Sequence, residues 1–140
     1  MASPRPKIEA KVVLLVEDNE DALAIYGESL RYAGYEVIEA VTIAEAREAA
    51  AQRRPDIVVL DCRLPDGDGL ELLASWRREA MMLEVPVLVV TASRERQDVE
   101  AAVLAGADRF VPKPCPGNVL AKYVENALQN VRSSSTMRRP

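Results

Sequence analysis

Val12-Val13-Leu14-Leu15-Val16 is an unbroken apolar run, rich in β-branched residues, that stops abruptly at Glu17-Asp18. A run without polar alternation reserves neither face for water, which is the pattern of a strand in a parallel sheet covered on both sides. Working outward, Ile57-Val58-Val59-Leu60 repeats the pattern and stops at Asp61. Val85-Pro86-Val87-Leu88-Val89-Val90 repeats it again and stops at Thr91. Glu36–Ala40 and Arg109–Val111 read as shorter strands.

Between these runs the spacing becomes helical. Over Glu20–Ala33, Leu23, Tyr26, Leu30 and Ala33 share a face, and Gly34 stands where a left-handed C-terminal cap belongs. Thr42 and Glu45 have capping-box spacing ahead of an Ala-rich helix that runs to about Gln52. Leu70, Leu73, Ala74 and Arg77 suit a third helix, and Asp98–Ala105, closed by Gly106, a fourth. Val119–Val131 gives the last, with an apolar stripe of Leu120, Tyr123, Val124, Ala127, Leu128 and Val131. Strands alternating with helices predict an α/β domain, a central five-stranded parallel sheet doubly wound by five helices on both faces. The expected organisation is one domain over residues 9–132, with tails rich in Pro, Ser and Arg at 1–8 and 133–140.

A chain of 140 residues with 49% hydrophobic residues can bury one real core. Its formal net charge of -4 gives no support to non-specific nucleic-acid binding, which needs a basic face. No apolar run approaches the roughly 20 residues of a membrane span, and no h-region follows the N-terminus, so a cytoplasmic location is expected. Cys62 and Cys115 are too few for a disulfide scaffold and lack redox spacing. The absence of histidine excludes His-ligated metals, His-activated nucleophiles and a phosphohistidine on this chain.

In an open parallel sheet, ligands bind outside the carboxyl ends of the strands. Those ends carry Glu17-Asp18, Asp61, Thr91 and Val111-Pro112-Lys113-Pro114. Carboxylates brought together repel, and a hard divalent cation with oxygen ligands offsets that cost. A cation, a lysine and a hydroxyl beside a carboxylate nucleophile are the parts that stabilise a transferring phosphoryl group.

With these residues in place, the chain resembles the receiver domain of two-component response regulators, over roughly Val12 to Val131. The motifs that carry the resemblance are Leu15-Val16-Glu17-Asp18-Asn19-Glu20, Asp61-Cys62-Arg63-Leu64-Pro65-Asp66-Gly67-Asp68-Gly69, Val90-Thr91-Ala92, Ala105-Gly106-Ala107-Asp108 and Lys113-Pro114, in that order. The resemblance implies a flavodoxin-like fold of the chemotaxis-receiver type and a phosphoryl-accepting switch rather than a conventional enzyme. It implies Asp61 as phosphoacceptor and Mg2+, with Mn2+ as the alternative ion, held by Glu17, Asp18, Asp61 and the backbone carbonyl of Arg63. Thr91, the Ala92 backbone N–H and Lys113 would meet the phosphoryl oxygens, with Thr91 and Phe110 as the switch pair. Lys113–Pro114 is the expected cis peptide. The phosphate would come from a histidine kinase, a phosphotransfer protein or a small acyl phosphate. Output would pass to a downstream protein through the fourth helix, fifth strand and fifth helix, or through a homodimer, with no nucleic-acid or membrane contact by this chain.

Some details depart from the family pattern or leave it open. Pro112 stiffens the Pro-Lys-Pro loop, Cys115 replaces a larger apolar residue, and Ser93 sits at a position that tunes phosphoryl lifetime. The nine residues after Val131 leave no room for an effector module, so the reading is a receiver that stands alone or one taken from a longer protein. Three competing functions are weighed. An aspartyl-phosphate phosphohydrolase wants an acid where Arg63 stands, and a flavin carrier wants a Ser/Thr/Gly-rich loop where Glu17-Asp18-Asn19-Glu20 stands. A phosphorylation-independent scaffold differs only in its chemistry.

Overall fold

The computed structural model describes residues 10–93 and 95–137, with side chains assigned to residue 130. The elements run β1 (Val12–Val16), α1 (Glu20–Tyr32), β2 (Glu36–Ala40), α2 (Ile43–Gln52), β3 (Ile57–Leu60), β4 (Arg63–Leu64), β5 (Gly67–Asp68), α3 (Gly69–Trp76), β6 (Val87–Thr91), α4 (Arg96–Ala105), β7 (Arg109–Pro112) and α5 (Gly117–Met137). The sheet is parallel throughout, in the order β2-β1-β3-β6-β7. β1, β3 and β6 occupy its centre, which is why they are the apolar runs buried on both faces.

Side-chain alternation divides the core in two. Leu14, Val16, Val58, Leu60, Val87 and Val89 pack against α2, α3 and α4 through Ala46, Ala50, Leu72, Leu73, Trp76 and Ala102. Val13, Leu15, Ile57, Val59, Leu88 and Val90 pack against α1 and α5 through Tyr26, Leu30, Leu120, Val124 and Ala127. Burying a Leu or Val of this kind stabilises the fold by roughly 1.5–3 kcal/mol each.

Several local expectations hold. Gly34 follows α1 with φ of 103°, in its expected capping place, and Tyr35 N–H returns to the Leu30 carbonyl at 3.1 Å; the other end of the helix is capped by Asn19, for which no cap was expected, accepting from the Ala22 N–H. Thr42 accepts from Glu45 N–H, as the spacing predicts, while the Glu45 carboxylate reaches back one residue past the cap to the Val41 N–H. The Lys113–Pro114 peptide is cis.

Other expectations are corrected. Ala33 is exposed at the C-cap of α1 instead of joining its buried face, because the helix has ended there. The buried stripe of α3 is Gly69, Leu72, Leu73 and Trp76; Leu70 and Ala74 are only half-buried, and Arg77 is the C-cap. The strand expected over Val85–Val90 begins at Val87, since Pro86 has no N–H to give a central ladder. The helix expected from Asp98 begins at Arg96. The hairpin of β4 and β5 was not anticipated, its strands being only two residues each. α5 continues to Met137, through residues 133–137 of the expected C-terminal tail. The expected tail 1–8 and residues 138–140 lie outside the described residues.

Candidate functional site

Strand register builds the site. Val16 is level with Leu60, so the next residues, Glu17 and Asp61, stand side by side as the chains leave the sheet. Asp61 N–H still donates to the Val16 carbonyl at 3.0 Å, and Glu17 N–H to the Ala40 carbonyl at 3.0 Å, so both backbones stay in the ladder where their side chains emerge. Glu17, Asp18 and Asp61 each offer an oxygen within 4.8 Å of the others. Glu17 is only 2% exposed, whereas Asp18 is open to solvent. Together with Asn19, Glu20, Asp21, Ala22 and Lys113 these acids line one cleft.

Lys113 reaches the acids from the far side. The same alternation that turns Val111 toward α1 and α5 carries Lys113 past the end of β7, and its N–H donates to the Thr91 carbonyl at 2.7 Å. Its Nζ lies 2.7 Å from Glu17 Oε1 and 3.8 Å from Asp61 Oδ2. Glu17 is thereby held at both oxygens, since Oε2 accepts the Asn19 N–H at 3.1 Å. Burial by itself lowers the Lys113 ammonium, but the hydrogen bond to Glu17 and the charges of Asp61 and Glu17 outweigh it and raise the group above its ordinary value. Asp61 is pushed up from 3.8 to about 6, first by burial, then by the neighbouring Glu17 carboxylate; Lys113 opposes this without cancelling it.

The chain's return toward α3 depends on Gly69. A Cβ there would lie 2.4 Å from the Asp61 carbonyl oxygen, and the Gly69 N–H donates to the Cys62 carbonyl at 2.7 Å. Arg63 is exposed in β4, its N–H 3.4 Å from Asp61 Oδ1.

The other expected residues do not line the acidic cleft. Thr91 is buried beneath the start of the α4 connection and Ala92 is exposed beside it. Phe110 is half-buried against the core cluster shared with α4, and its neighbour Arg109 stacks over Tyr123, 4.5 Å from the ring centre. Cys62 is pushed up to about 11 by burial, with the adjacent Thr91 hydroxyl pulling the other way. Burial also raises Cys115, so both thiols are held in their neutral, weakly nucleophilic form.

Sequence reading missed three polar partnerships. The Ser93 hydroxyl bonds the Asp98 carboxylate at the mouth of α4. The Arg77 guanidinium bonds the carbonyls of Met82, Leu83, Val85 and Gly106 and pairs with Asp108. Asp66 bonds the first amides of α2. Asp66 had a readable signal, its turn setting Pro65-Asp66-Gly67, but its partner is 22 residues away in sequence.

The donor set is all oxygen, three carboxylates around a solvent-facing cleft, which suits a hard divalent cation. These acids and Lys113 lie at the C-terminal edge of the β2-β1-β3-β6-β7 parallel sheet, and the sequence model of the response regulator receiver domain matches residues 13–125. The chain belongs to this family. It is a phosphoryl-accepting switch domain of two-component systems, and its family takes phosphate from histidine kinases and acts on downstream effectors. The receiver is 39% identical over 124 residues to the transcriptional regulatory protein PrrA of Mycobacterium tuberculosis, covering 89% of this chain and 52% of that protein. It is 40% identical over 102 residues to the KDP operon transcriptional regulatory protein KdpE of Escherichia coli, covering 73% of this chain and 44% of that one. It thus spans about half the length of the curated relatives it matches. A crystal structure of a receiver domain protein from Methanospirillum hungatei JF-1 superposes with a TM-score of 0.83 at 25% identity, covering 90% of this chain and 99% of that one. Among the described residues, no helix of the receiver is long and apolar enough to cross a membrane.

Proposed function

We propose that Asp61 is the residue of this receiver that accepts the phosphoryl group, beside a Mg2+ site formed by Glu17, Asp18, Asp61 and the Arg63 carbonyl. The supporting observation is the meeting of three carboxylates within 4.8 Å with the Lys113 ammonium 3.8 Å from Asp61. When bound, Mg2+, or Mn2+ in its place, neutralises the acids and draws charge from the phosphoryl oxygens.

The chain's own groups do the rest. An Asp61 carboxylate oxygen forms the new bond to phosphorus, while the bond from phosphorus to the donor breaks and its electron pair leaves with the donor. That donor is the phosphohistidine of a kinase or phosphotransfer protein, or a small acyl phosphate, and the transfer is catalysed by the receiver's own site. Lys113, now on Glu17, shifts to a phosphoryl oxygen, and the Thr91 hydroxyl and Ala92 N–H donate to another. The space Thr91 leaves admits Phe110, which shares its side of the sheet. Moving a switch from mostly off to mostly on takes about 5.5 kcal/mol, which a few charge-assisted hydrogen bonds of roughly 1.5–3 kcal/mol supply.

The face formed by α4, β7 and α5 then contacts a downstream protein or a second copy of the chain, in the cytoplasm. Val103 and Leu104 of α4 lie exposed on it at 61% and 87%. Output runs through this protein contact, without direct nucleic-acid binding by these residues. The test is labelling by a phosphodonor with Mg2+, together with beryllofluoride binding. Wild-type protein takes one phosphoryl group and Asp61→Asn takes none; persistent stoichiometric labelling of the variant refutes the assignment, and absence of labelling in the wild type favours a scaffold.

A further inference from the structure

We infer that Asp66 is a positioning residue for the cation site, fastening the hairpin that carries the Arg63 carbonyl to the N-terminus of α2. The inference rests on the cation site proposed above.

The segment from Cys62 to Asp68 leaves the acceptor strand, makes a two-residue ladder pairing Arg63 with Asp68 and Leu64 with Gly67, and re-enters the fold at α3. A ladder so short holds no conformation unaided. Its base is closed by the Gly69 N–H to the Cys62 carbonyl, and by Asp68, which caps α3 through the Leu70 N–H at 2.8 Å. Among the described residues, the side-chain hydrogen bonds at its tip are those of Asp66. Oδ1 accepts the Ile43 N–H at 2.8 Å and Oδ2 accepts the Ala44 N–H at 3.1 Å. The Ile43 side chain lies against Gly67, where a Cβ would come within 3.0 Å of it.

The α2 terminus is built to receive this carboxylate. Thr42 takes the Glu45 N–H, leaving the two amides before it as orphan donors at the positive end of the helix dipole, and an aspartate from another loop satisfies both. The bond therefore does more than cap a helix. It ties down the tip of a loop whose base Gly69 and Asp68 already close, and so restricts where the Arg63 carbonyl of the proposed site can lie. Without it the tip swings, and one oxygen of the cation site is no longer held in place.

Titration calorimetry of Mg2+ separates this from simple helix stabilisation. Asp66→Ala is expected to weaken Mg2+ about tenfold, the low end for groups that orient metal ligands, and Asp66→Asn, which keeps one acceptor, to fall between. Thr42→Ala removes a cap from the same helix without touching the hairpin, and is expected to lower the urea midpoint comparably while keeping Mg2+ affinity within about twofold. The rate of phosphodonor labelling at subsaturating Mg2+ should follow the same order. Wild-type affinity in both Asp66 variants overturns the inference, as does a Thr42→Ala loss equal to that of Asp66→Ala. If the wild type binds no Mg2+, the proposed cation site fails and this role with it; wild-type binding with unaltered Asp66 variants removes this role alone.

Discussion

Replacing Asp61 by Asn should make the cation-free receiver more stable. The carboxyl is pushed from 3.8 to about 6 by burial and by Glu17, so folding favours its protonated form. The difference is roughly 2 pK units, and at 1.36 kcal/mol per unit the ionised carboxylate costs the fold at most about 3 kcal/mol above pH 7. Because the folded value is the raised one, this stability is fully present below about pH 4 and is lost as the pH climbs through about 6. Asn has nearly the same volume and no charge, so it escapes the loss. Its NH2 group faces Lys113 less well than a carboxylate does, which trims the gain to about 1–2 kcal/mol. With a urea slope near 2 kcal/mol/M, the midpoint of the variant should exceed that of the wild type by roughly 0.5–1 M at pH 7.5 in EDTA. The gap should close toward pH 4. Saturating Mg2+ at 100 times its Kd stabilises the wild type by about 2.7 kcal/mol, which erases or reverses the gap if Asp61 is a ligand. A gap independent of pH, or a less stable Asn variant in EDTA, would refute the electrostatic account.

Lys113→Met should still bind Mg2+ but lose the partner-binding or spectral change that follows phosphodonor treatment, and its Asp61 titration by NMR should move above that of the wild type, since a group that lowers it is gone; a wild-type response would count against the role given to Lys113. Gly69→Ala drives a methyl group to 2.4 Å from the Asp61 carbonyl and should cost at least about 1–3 kcal/mol in urea unfolding, together with Mg2+ affinity; neutrality would show that the loop yields freely. Arg77→Met keeps the aliphatic bulk but strips hydrogen bonds from four carbonyls and unpairs Asp108, with an expected loss of about 2–4 kcal/mol and faster amide exchange around Gly106. Exchange unchanged at Gly106 would contradict the view that this guanidinium pins the end of α4.

The sheet and the edge where its chemistry lies were legible in the apolar runs. Runs such as Val12–Val16 and Ile57–Leu60, short, β-branched-rich, apolar on both faces and cut off by acids, match a buried parallel strand with polar groups at its carboxyl end. That is why Glu17, Asp18, Asp61 and Lys113 stand out at the strand ends in the sequence. The local punctuation was equally readable where it depends on neighbours in sequence, as at Gly34, Thr42 and Gly106.

Contacts set by long-range register emerged only on folding. It set Glu17 level with Asp61 and brought Lys113 across 96 residues onto Glu17, raising Asp61 by a burial that no local pattern encodes. It also joined Asp66 to α2 and drew Arg77 into six hydrogen bonds with four carbonyls and the Asp108 carboxylate, up to 31 positions away; Leu72 and Trp76 became the core stripe of α3 only because the sheet surface lay beneath them. A helix or strand announces itself through repeated short-range preferences, whereas a side chain's partner in space is fixed by how those elements pack, and that information is shared across the whole chain.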